Sequence, residues 1–451
     1  MNSPKVTSIT YVKNGEKYIE QCIRSIMHQT LKDIEIIVVD GGSTDGTEQI
    51  LEKLRDEDSR IELLSVEGSV GAQFNAALKI ARGEYVAVCE GDDFILPNKY
   101  EKQYEIAKKN KLDVIRACYY LYFQISGKEY RYKVEVAPNE NLYDRLIISE
   151  DNMFLASFVN GFWNGLYKRQ FLVDNHICKN ETQGAAFQDI TFSFLTQMYA
   201  GRIWFMSEPL HCYRIDNPNS SVNSEKCIQM LNREYDLLSE SLKERNEWDR
   251  QKHMFMGWII SSYKQFFDRF SEEKKQSVID ALYSNLLKYE VSYNAVDLKL
   301  YYKVMEIREA FYKGKDSFRD AMFKGNERSG KCFLFFSGEE FKKLQEVILF
   351  GAGHFGEIVY DYLSIHQKQI VVVDNSEKKQ NEGFRGTVVH KPTVCKESNA
   401  PIIIASVHYS GEIRNQIVAQ GVDEQRIVIC DNEDFFFREI FIGLGMQLNF
   451  A

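Results

Sequence analysis

The chain has 451 residues, of which 44% are hydrophobic and 27% charged, with a formal net charge of -9. That size and balance exclude a disordered chain and leave room for two or three cores. The acidic charge excludes a protein that tracks a nucleic-acid backbone, because phosphate neutralisation needs clustered Lys and Arg, so an anionic ligand would require a metal ion or local donors.

Nine Cys, at 22, 89, 118, 178, 212, 227, 332, 395 and 430, are scattered without a Cys-x-x-Cys pair. They fit reduced thiols in a cytoplasmic protein rather than a disulfide framework or a zinc site. The opening Lys5-Val6-Thr7-Ser8-Ile9-Thr10 is too short for a signal peptide, and no run of about 18 apolar residues follows. A chain that does not span a membrane is expected.

The first stretch alternates strand and helix. Val6 to Tyr11 and Ile34 to Asp40 are β-rich apolar runs, separated by Ile19, Cys22, Ile23, Ile26 and Met27 at helical spacing. Ile61 to Val66 and Tyr85 to Cys89 read as further strands around a helix bearing Phe74, Ala77, Leu78 and Ala81. Such βαβ units predict an α/β fold with a mostly parallel sheet, whose ligands bind beyond the carboxyl ends of its strands. Three loops leave those ends: Tyr11 to Gly15, Asp40 to Gly46, and Glu90-Gly91-Asp92-Asp93.

The third loop places three carboxylates at one strand end, an arrangement that repels itself unless a cation sits there. In the second, Asp40 can accept from a nucleobase N–H while Gly41 and Gly42 let backbone approach a ribose or phosphate. The alternative is that Asp40 only begins a turn; Asp45, with Glu48 three positions on, has the spacing of a capping box.

Further along, Met230 to Arg245 and Glu272 to Tyr289 read as amphipathic helices in a segment expected to act as spacer or packing platform. A polar linker over 324–331 leads to a second α/β pattern. There the strand Val347 to Phe350 runs into Gly351-Ala352-Gly353-His354-Phe355-Gly356, a helix, and a strand ending at Asp374. That is the dinucleotide fingerprint in context, in which Gly351, Gly353 and Gly356 cradle a phosphate and Asp374 meets a ribose hydroxyl. The aromatic tail over 435–442 is suited to packing or to peripheral membrane contact.

Residues 6 to about 222 resemble the inverting family 2 glycosyltransferases of the GT-A fold. The resemblance rests on the first strand with Asn14, Ser25 to Thr30, Glu35 to Thr47, and Ala81-Arg82-Gly83-Glu84-Tyr85. It assigns Glu90-Gly91-Asp92 to the family's Asp-x-Asp position, with Asp92 facing a Mg or Mn ion, Glu90 standing where Asp is usual, and Asp93 orienting the loop or donor. It also implies that Asp189, in Gly184-Ala185-Ala186-Phe187-Gln188-Asp189, is the general base, with Gln188 replacing a frequent acid. Thr10, Tyr11, Asn14, Asp40, Gly42, Ser43 and Asn75 fall on the nucleotide side. Arg214 is implied as a phosphate contact, Asp216 as a third metal ligand with His211 as the alternative, and Trp163 and Asn164 as acceptor contacts.

The implied activity is transfer of a sugar, with inversion, from a nucleotide sugar, UDP-linked first, to a glycan or lipid-linked acceptor in surface polysaccharide synthesis. The C-terminal part resembles Rossmann-like domains fused to bacterial polysaccharide enzymes, with a nucleotide or dinucleotide as ligand. The expected domains are 1–223, 224–340 and 341–451, with a homodimer formed through the helical middle and the tail. Two rivals are a non-catalytic nucleotide-sugar scaffold or sensor and an NAD-dependent oxidoreductase centred on the second fingerprint. For the oxidoreductase, no Tyr-x-x-x-Lys follows Val389.

Overall fold

The computed structural model describes residues 3–125, 128–137, 142–148, 161–184, 186–217, 227–267, 272–289, 307, 310–323, 341, 343–365, 367–406 and 409–430. The 324–331 linker and the 435–442 tail lie outside them. The chain forms two compact units, Met1–Met322 and Phe323–Leu448.

The strands of the first unit are β1 (Val6–Val12), β2 (Ile34–Asp40), β3 (Ile61–Ser65), β4 (Tyr85–Val88), β5 (Phe94–Ile95), β6 (Val114–Ala117), β7 (Tyr119–Ile125), β8 (Lys128–Val134), β9 (Leu146–Ile148), β10 (Gly165–Lys168), β11 (Arg202–Met206) and β12 (His211–Arg214). Eight form a mixed sheet in the order β3-β2-β1-β4-β10-β6-β11-β9. Strands β1 to β4 run parallel, and β10 inserts antiparallel between β4 and β6. β1 is buried along its whole length, as a parallel strand covered on both faces must be.

The helix α1 (Ile19–Met27) covers one face with Ile19, Cys22, Ile23 and Ile26, the residues whose spacing predicts it. Burying each such aliphatic side chain contributes about 1.5–3 kcal/mol. Helix α2 (Thr47–Glu57) follows β2, and α3 (Val70–Ile80) starts at Ser69, whose side chain accepts from the Ala72 N–H. A small second sheet, β5-β12-β7-β8, carries the strand that ends at Arg214.

After α4 (Lys99–Asn110), α5 (Arg169–Asp174) and α6 (Ile190–Tyr199), the helical stretch contains α7 (Cys227–Glu244), α8 (Trp248–Phe267) and α9 (Glu272–Lys288). The periodicity marks α7 and α9; α8 is additional. These helices are part of the first unit, with Tyr235, Phe255, Trp258 and Tyr263 all buried. No helix among the described residues is long and apolar enough to cross a membrane.

The second unit holds β13 (Glu346–Phe350), β14 (Gln369–Val373), β15 (Val389–His390), β16 (Ile402–Ala405) and β17 (Ile427–Cys430) in one parallel sheet, ordered β15-β14-β13-β16-β17. Alternate residues of β13 enter separate clusters. Val347 and Leu349 pack with Val359 and Leu363 of the helix His354–Ile365, while Ile348 and Phe350 pack with Ile413 and Ile417 of the helix Ser410–Ala419.

Candidate active site

The sheet order reverses at β1, which lies between β2 and β4, so the loops after these strands open on one crevice. Val12 is paired with Asp40, and the Gly41 N–H donates to the Val12 carbonyl at 2.8 Å. Asn14, held at φ +54°, accepts from the Thr44 N–H at 2.8 Å, and its own N–H donates to Ser43 Oγ at 2.9 Å. Gly91 passes so close to β1 that a Cβ would lie 3.0 Å from that of Val12 and 3.2 Å from the Tyr11 carbonyl oxygen. The three loops border one cleft of about 1160 Å³, lined among others by Tyr11, Glu90, Asp92, Trp163, Lys179 and Asp189.

Glu90 and Asp92 each keep an oxygen without a hydrogen bond from another described residue. Glu90 Oε1 accepts from the Tyr11 hydroxyl at 2.6 Å, and Asp92 Oδ2 accepts from Asn217 Nδ2 at 2.8 Å. Desolvation pushes Glu90 up to about 7, opposed by Lys179 and reinforced by Asp92. The same desolvation raises Asp92, against the Asn217 hydrogen bond. These two half-buried acids with open oxygens on one wall offer oxygen donors, the ligand type a hard divalent cation prefers, although no cluster of three or more potential ligands occurs among the described residues. Asn217 is a partner that sequence reasoning passed over, although it directly follows the Tyr-Arg-Ile-Asp segment.

The neighbouring acids do different work. Asp93, expected to orient the loop or the donor, is 1% exposed and absent from the cleft wall, so of the two only the loop is within its reach. Its carboxylate accepts from the Arg214 N–H and faces His211 Nε2, both at 2.8 Å. Lys99, itself fully buried, lies 3.0 Å from His211 Nδ1. An ammonium donating to Nδ1 leaves the imidazole proton on Nε2, aimed at Asp93, and burial holds the ring neutral. With both nitrogens engaged, His211 has none left for a metal.

Arg214, expected on phosphate, spends its guanidinium on the Asp92 carbonyl at 2.8 Å, Gln21 Oε1 at 2.6 Å and Asp216 at 3.3 Å. Asp216, expected on the metal, accepts from Arg214 and from the Gln124 N–H at 2.8 Å. Both lie off the cleft wall and brace the 90–93 loop from behind.

Several nucleotide-side expectations also change place. Thr10 is fully buried within β1. Asp40 accepts from Ser43 Oγ at 2.5 Å and from the Ser43 N–H at 3.2 Å, and Gly42 takes φ +82° so that this turn can close. Asp40, Gly42 and Ser43 stand beside the cleft rather than in its wall, where Thr44 and Asp45 are. Asp45 accepts from the Thr47 N–H and hydroxyl and from the Glu16 N–H, a local turn that replaces the capping-box pairing with Glu48.

Asp189 is the residue before α6 and makes no side-chain cap. Its half-buried carboxylate takes no hydrogen bond from another described residue. Desolvation raises its pKa, with Lys179 the main opposing influence. The preceding Phe187 sits at φ +69°, a strained conformation for a bulky residue, in the cleft wall. Gln188, where an acid is frequent in the resembling family, accepts from the Gly71 N–H at 2.6 Å and donates to the Gly184 and Thr182 carbonyls, tying the loop to α3. A carboxylate could accept that first bond but could not donate the others.

Asn75, expected to face the donor, instead exchanges hydrogen bonds with the Lys179 backbone, 2.9 Å to its carbonyl and 3.0 Å from its N–H. It thereby fixes Lys179, a cleft residue that no motif marks. Lys179 is 3% exposed, donates to the Tyr11 hydroxyl at 2.9 Å and lies 3.6 Å from the Phe162 ring centroid. Desolvation lowers its pKa to about 8 against the pull of Glu90 and Asp189. From the helical segment, fully buried Glu234 on α7 accepts from Asn180 Nδ2 at 2.8 Å and Thr182 Oγ1 at 2.5 Å, buttressing the loop before Asp189. Leu231 and Ser262 also line the cleft, so α7 and α8 are part of its wall.

Trp163 reaches the cleft but is 3% exposed, stacked on Tyr213 at 4.8 Å between ring centres. Asn164, expected on the acceptor, is fully buried with Oδ1 accepting from Arg116 Nε at 3.0 Å. It lies outside the cleft because the 3₁₀ turn Phe162–Asn164 points it into the core.

In the second unit, the fingerprint is turned in on itself. Asp374 accepts from the Ala352 N–H at 2.7 Å and the Ser376 N–H at 2.8 Å, and pairs with Lys379 at 3.2 Å. It therefore caps the very loop that would receive a phosphate, rather than waiting for a ribose. Gly351 and Gly356 are explained by packing, since a Cβ would fall 2.5 Å from the Ala405 carbonyl oxygen or 1.8 Å from that of Gly351. At Gly353 the nearest atom to such a Cβ is the Lys379 ammonium, at 3.7 Å.

Residues 7–174 match the model of glycosyl transferase family 2. That stretch of the first unit is thus similar to family 2 glycosyltransferases. Residues 343–428 match a second model, C2185-like, N-terminal. The chain is similar to the uncharacterized glycosyltransferase EpsJ of Bacillus subtilis, 30% identical over 219 residues, 48% of this chain and 62% of EpsJ. It is also similar to glycosyltransferase GlyG of Streptococcus pneumoniae, 28% identical over 221 residues, 47% of this chain and 71% of GlyG. The chain thus spans less than two thirds of EpsJ.

Among solved structures, S. aureus TarS 1-349 in complex with UDP-GlcNAc superposes with a TM-score of 0.53 at 20% identity, covering 72% of this chain and 92% of that one. That likeness establishes the fold, a mixed α/β GT-A architecture.

Proposed function

We propose that the first unit is an inverting glycosyltransferase that moves a sugar from a nucleoside-diphosphate sugar, UDP-linked first, to a hydroxyl acceptor. The observation that supports this most is the pairing, in one cleft, of two kinds of open carboxylate: Glu90 and Asp92 on the loop after β4, and Asp189, which takes no hydrogen bond from another described residue, just before α6. Asp92 and Glu90 would hold a Mg or Mn ion, which when bound supplies positive charge against the donor diphosphate. Tyr11 and Asn217 orient those carboxylates, and Arg214 fixes the loop that carries them.

Asp189 takes the proton of the acceptor hydroxyl, and its raised pKa brings it closer to that of a working base. Thr44, Asp45 and Asn14 border the nucleotide end, and Trp163 with Tyr213 the acceptor side. The role in this reading is synthesis of a surface glycan. The second unit, with its acid already bonded, serves in this reading as an assembly or binding module without hydride chemistry.

A panel of UDP- and GDP-sugars with Mn2+ or Mg2+, scored for released nucleotide and for product, tests the reading. Turnover that disappears on chelation and in Asp189→Asn, with donor binding retained, is the expected result. Binding across the panel without turnover in any acceptor mixture would replace the enzyme by a nucleotide-sugar sensor.

A further inference from the structure

Lys179 has a chemistry that nothing above uses. An ammonium carries three donors, and at 3% exposure this one finds a single acceptor among the described residues, the Tyr11 hydroxyl at 2.9 Å. The ring faces of Phe162, Tyr11 and Phe74, with centroids at 3.6, 4.7 and 5.1 Å, surround it. Those faces attract the charge but leave two N–H groups without an oxygen or nitrogen acceptor. The side chain also lines the cleft. A buried donor at a cavity wall calls for an acceptor that arrives with the ligand.

The position tells which part of the ligand that is. Through Tyr11, Lys179 is one hydroxyl away from Glu90 at the proposed diphosphate end, and the charge of Asp189 at the proposed acceptor end also acts on it. In an inverting displacement the nucleotide leaves from one side of the anomeric carbon and the acceptor enters from the other. What lies between those two ends is the sugar ring.

We propose that Lys179 binds the transferred sugar, donating to one of its hydroxyl groups; the assignment rests on the glycosyltransferase reading. A neutral hydroxyl fits better than a sugar carboxylate. Glu90, Asp92 and Asp189 already outnumber this single ammonium, and a divalent ion is offset by the donor diphosphate, so a uronate would add negative charge to a negative site. Lys179 is therefore a specificity residue for neutral sugars rather than a counter-ion for acidic ones.

The test is calorimetry on the full chain with Mn2+, comparing UDP, UDP-glucose, UDP-N-acetylglucosamine and UDP-glucuronate. Lys179→Met is expected to weaken the neutral UDP-sugars about 10- to 100-fold while leaving UDP within about twofold. Lys179→Gln, which keeps a shorter donor, should fall between and provides a second reading if the Met variant does not fold.

Equal loss of UDP and UDP-sugar would overturn the proposal, placing Lys179 behind Glu90 as a positioning residue only. So would unchanged binding of all four, or a wild-type preference for UDP-glucuronate that Lys179→Met abolishes. If wild-type protein binds none of the four, nor GDP-mannose, the glycosyltransferase reading itself fails. That outcome is visible before any variant is made.

Discussion

The two units present the same local pattern, an acidic residue just beyond a parallel strand beside a glycine-containing loop, with opposite outcomes. In the first, Glu90 and Asp92 end in a cleft with oxygens still open, and burial raises both pKa values. In the second, Asp374 is consumed by two backbone N–H groups and Lys379. The contrast shows that a carboxylate at a strand end becomes a ligand site only when the fold withholds its hydrogen bonds. Where local donors are supplied, the same residue is a cap.

The sharpest way to break this comparison is to neutralise the open acids. Asp189→Asn should lower transfer by about 10²–10⁴-fold with donor affinity preserved, measured by product formation alongside calorimetry. Asp92→Asn should cost about 10²–10³-fold and, unlike the first, should also abolish metal-dependent donor binding. If the two variants behave alike, the division into a metal end and a base end is wrong.

Next in size is Glu234→Ala on α7, which leaves Asn180 and Thr182 without their acceptor. A loss of about 1–3 kcal/mol in stability is expected, together with a fall in kcat larger than any change in KM, because the loop before Asp189 loosens. Unchanged kinetics would return the helical segment to a passive platform.

The pH dependence of stability offers a finer probe. Glu90, raised from 4.5 to about 7, binds a proton in the folded state that it releases when unfolded between those values. Its contribution is fully present below about pH 4.5 and is lost as pH rises through about 7, with a slope of at most about 1.4 kcal/mol per unit. Thermal melts without metal should therefore fall across that window, and Glu90→Gln should flatten the fall. The smallest effect on activity belongs to the second unit: Asp374→Ala should cost about 1–3 kcal/mol of that unit's stability and leave transfer unchanged. Detectable NADH binding by the full chain would contradict the capped reading of Asp374.

How much was legible beforehand depended on the kind of information. The four-strand βαβ framework was readable because apolar periodicity reports burial directly, as Ile19, Cys22, Ile23 and Ile26 of α1 illustrate. The convergence of the three loops followed from parallel strands alone. Roles within the site were less readable. Asn164 and Asn75 have side chains suited to sugars, yet one is buried against Arg116 and the other holds the Lys179 backbone. Lys179, Glu234 and Asn217 carry no signature, because each acquires its meaning from a partner 54 or more positions away in sequence, such as Tyr11 at a separation of 168.

By itself the sequence determined the α/β framework, the sheet edge where ligands would gather, and the acids brought there, since these depend on local periodicity and chain direction. Only the tertiary structure decided which acids stay open. That choice is made by donors from distant segments: Arg214 and His211 reach Asp93, and Gln124 joins Arg214 at Asp216. Glu90, Asp92 and Asp189 are left with unfilled oxygens, while in the second unit the loop's own amides close on Asp374. A hydrogen bond is a matter of about 3 Å in space, and the number already spent on a side chain is settled only when the chain has folded.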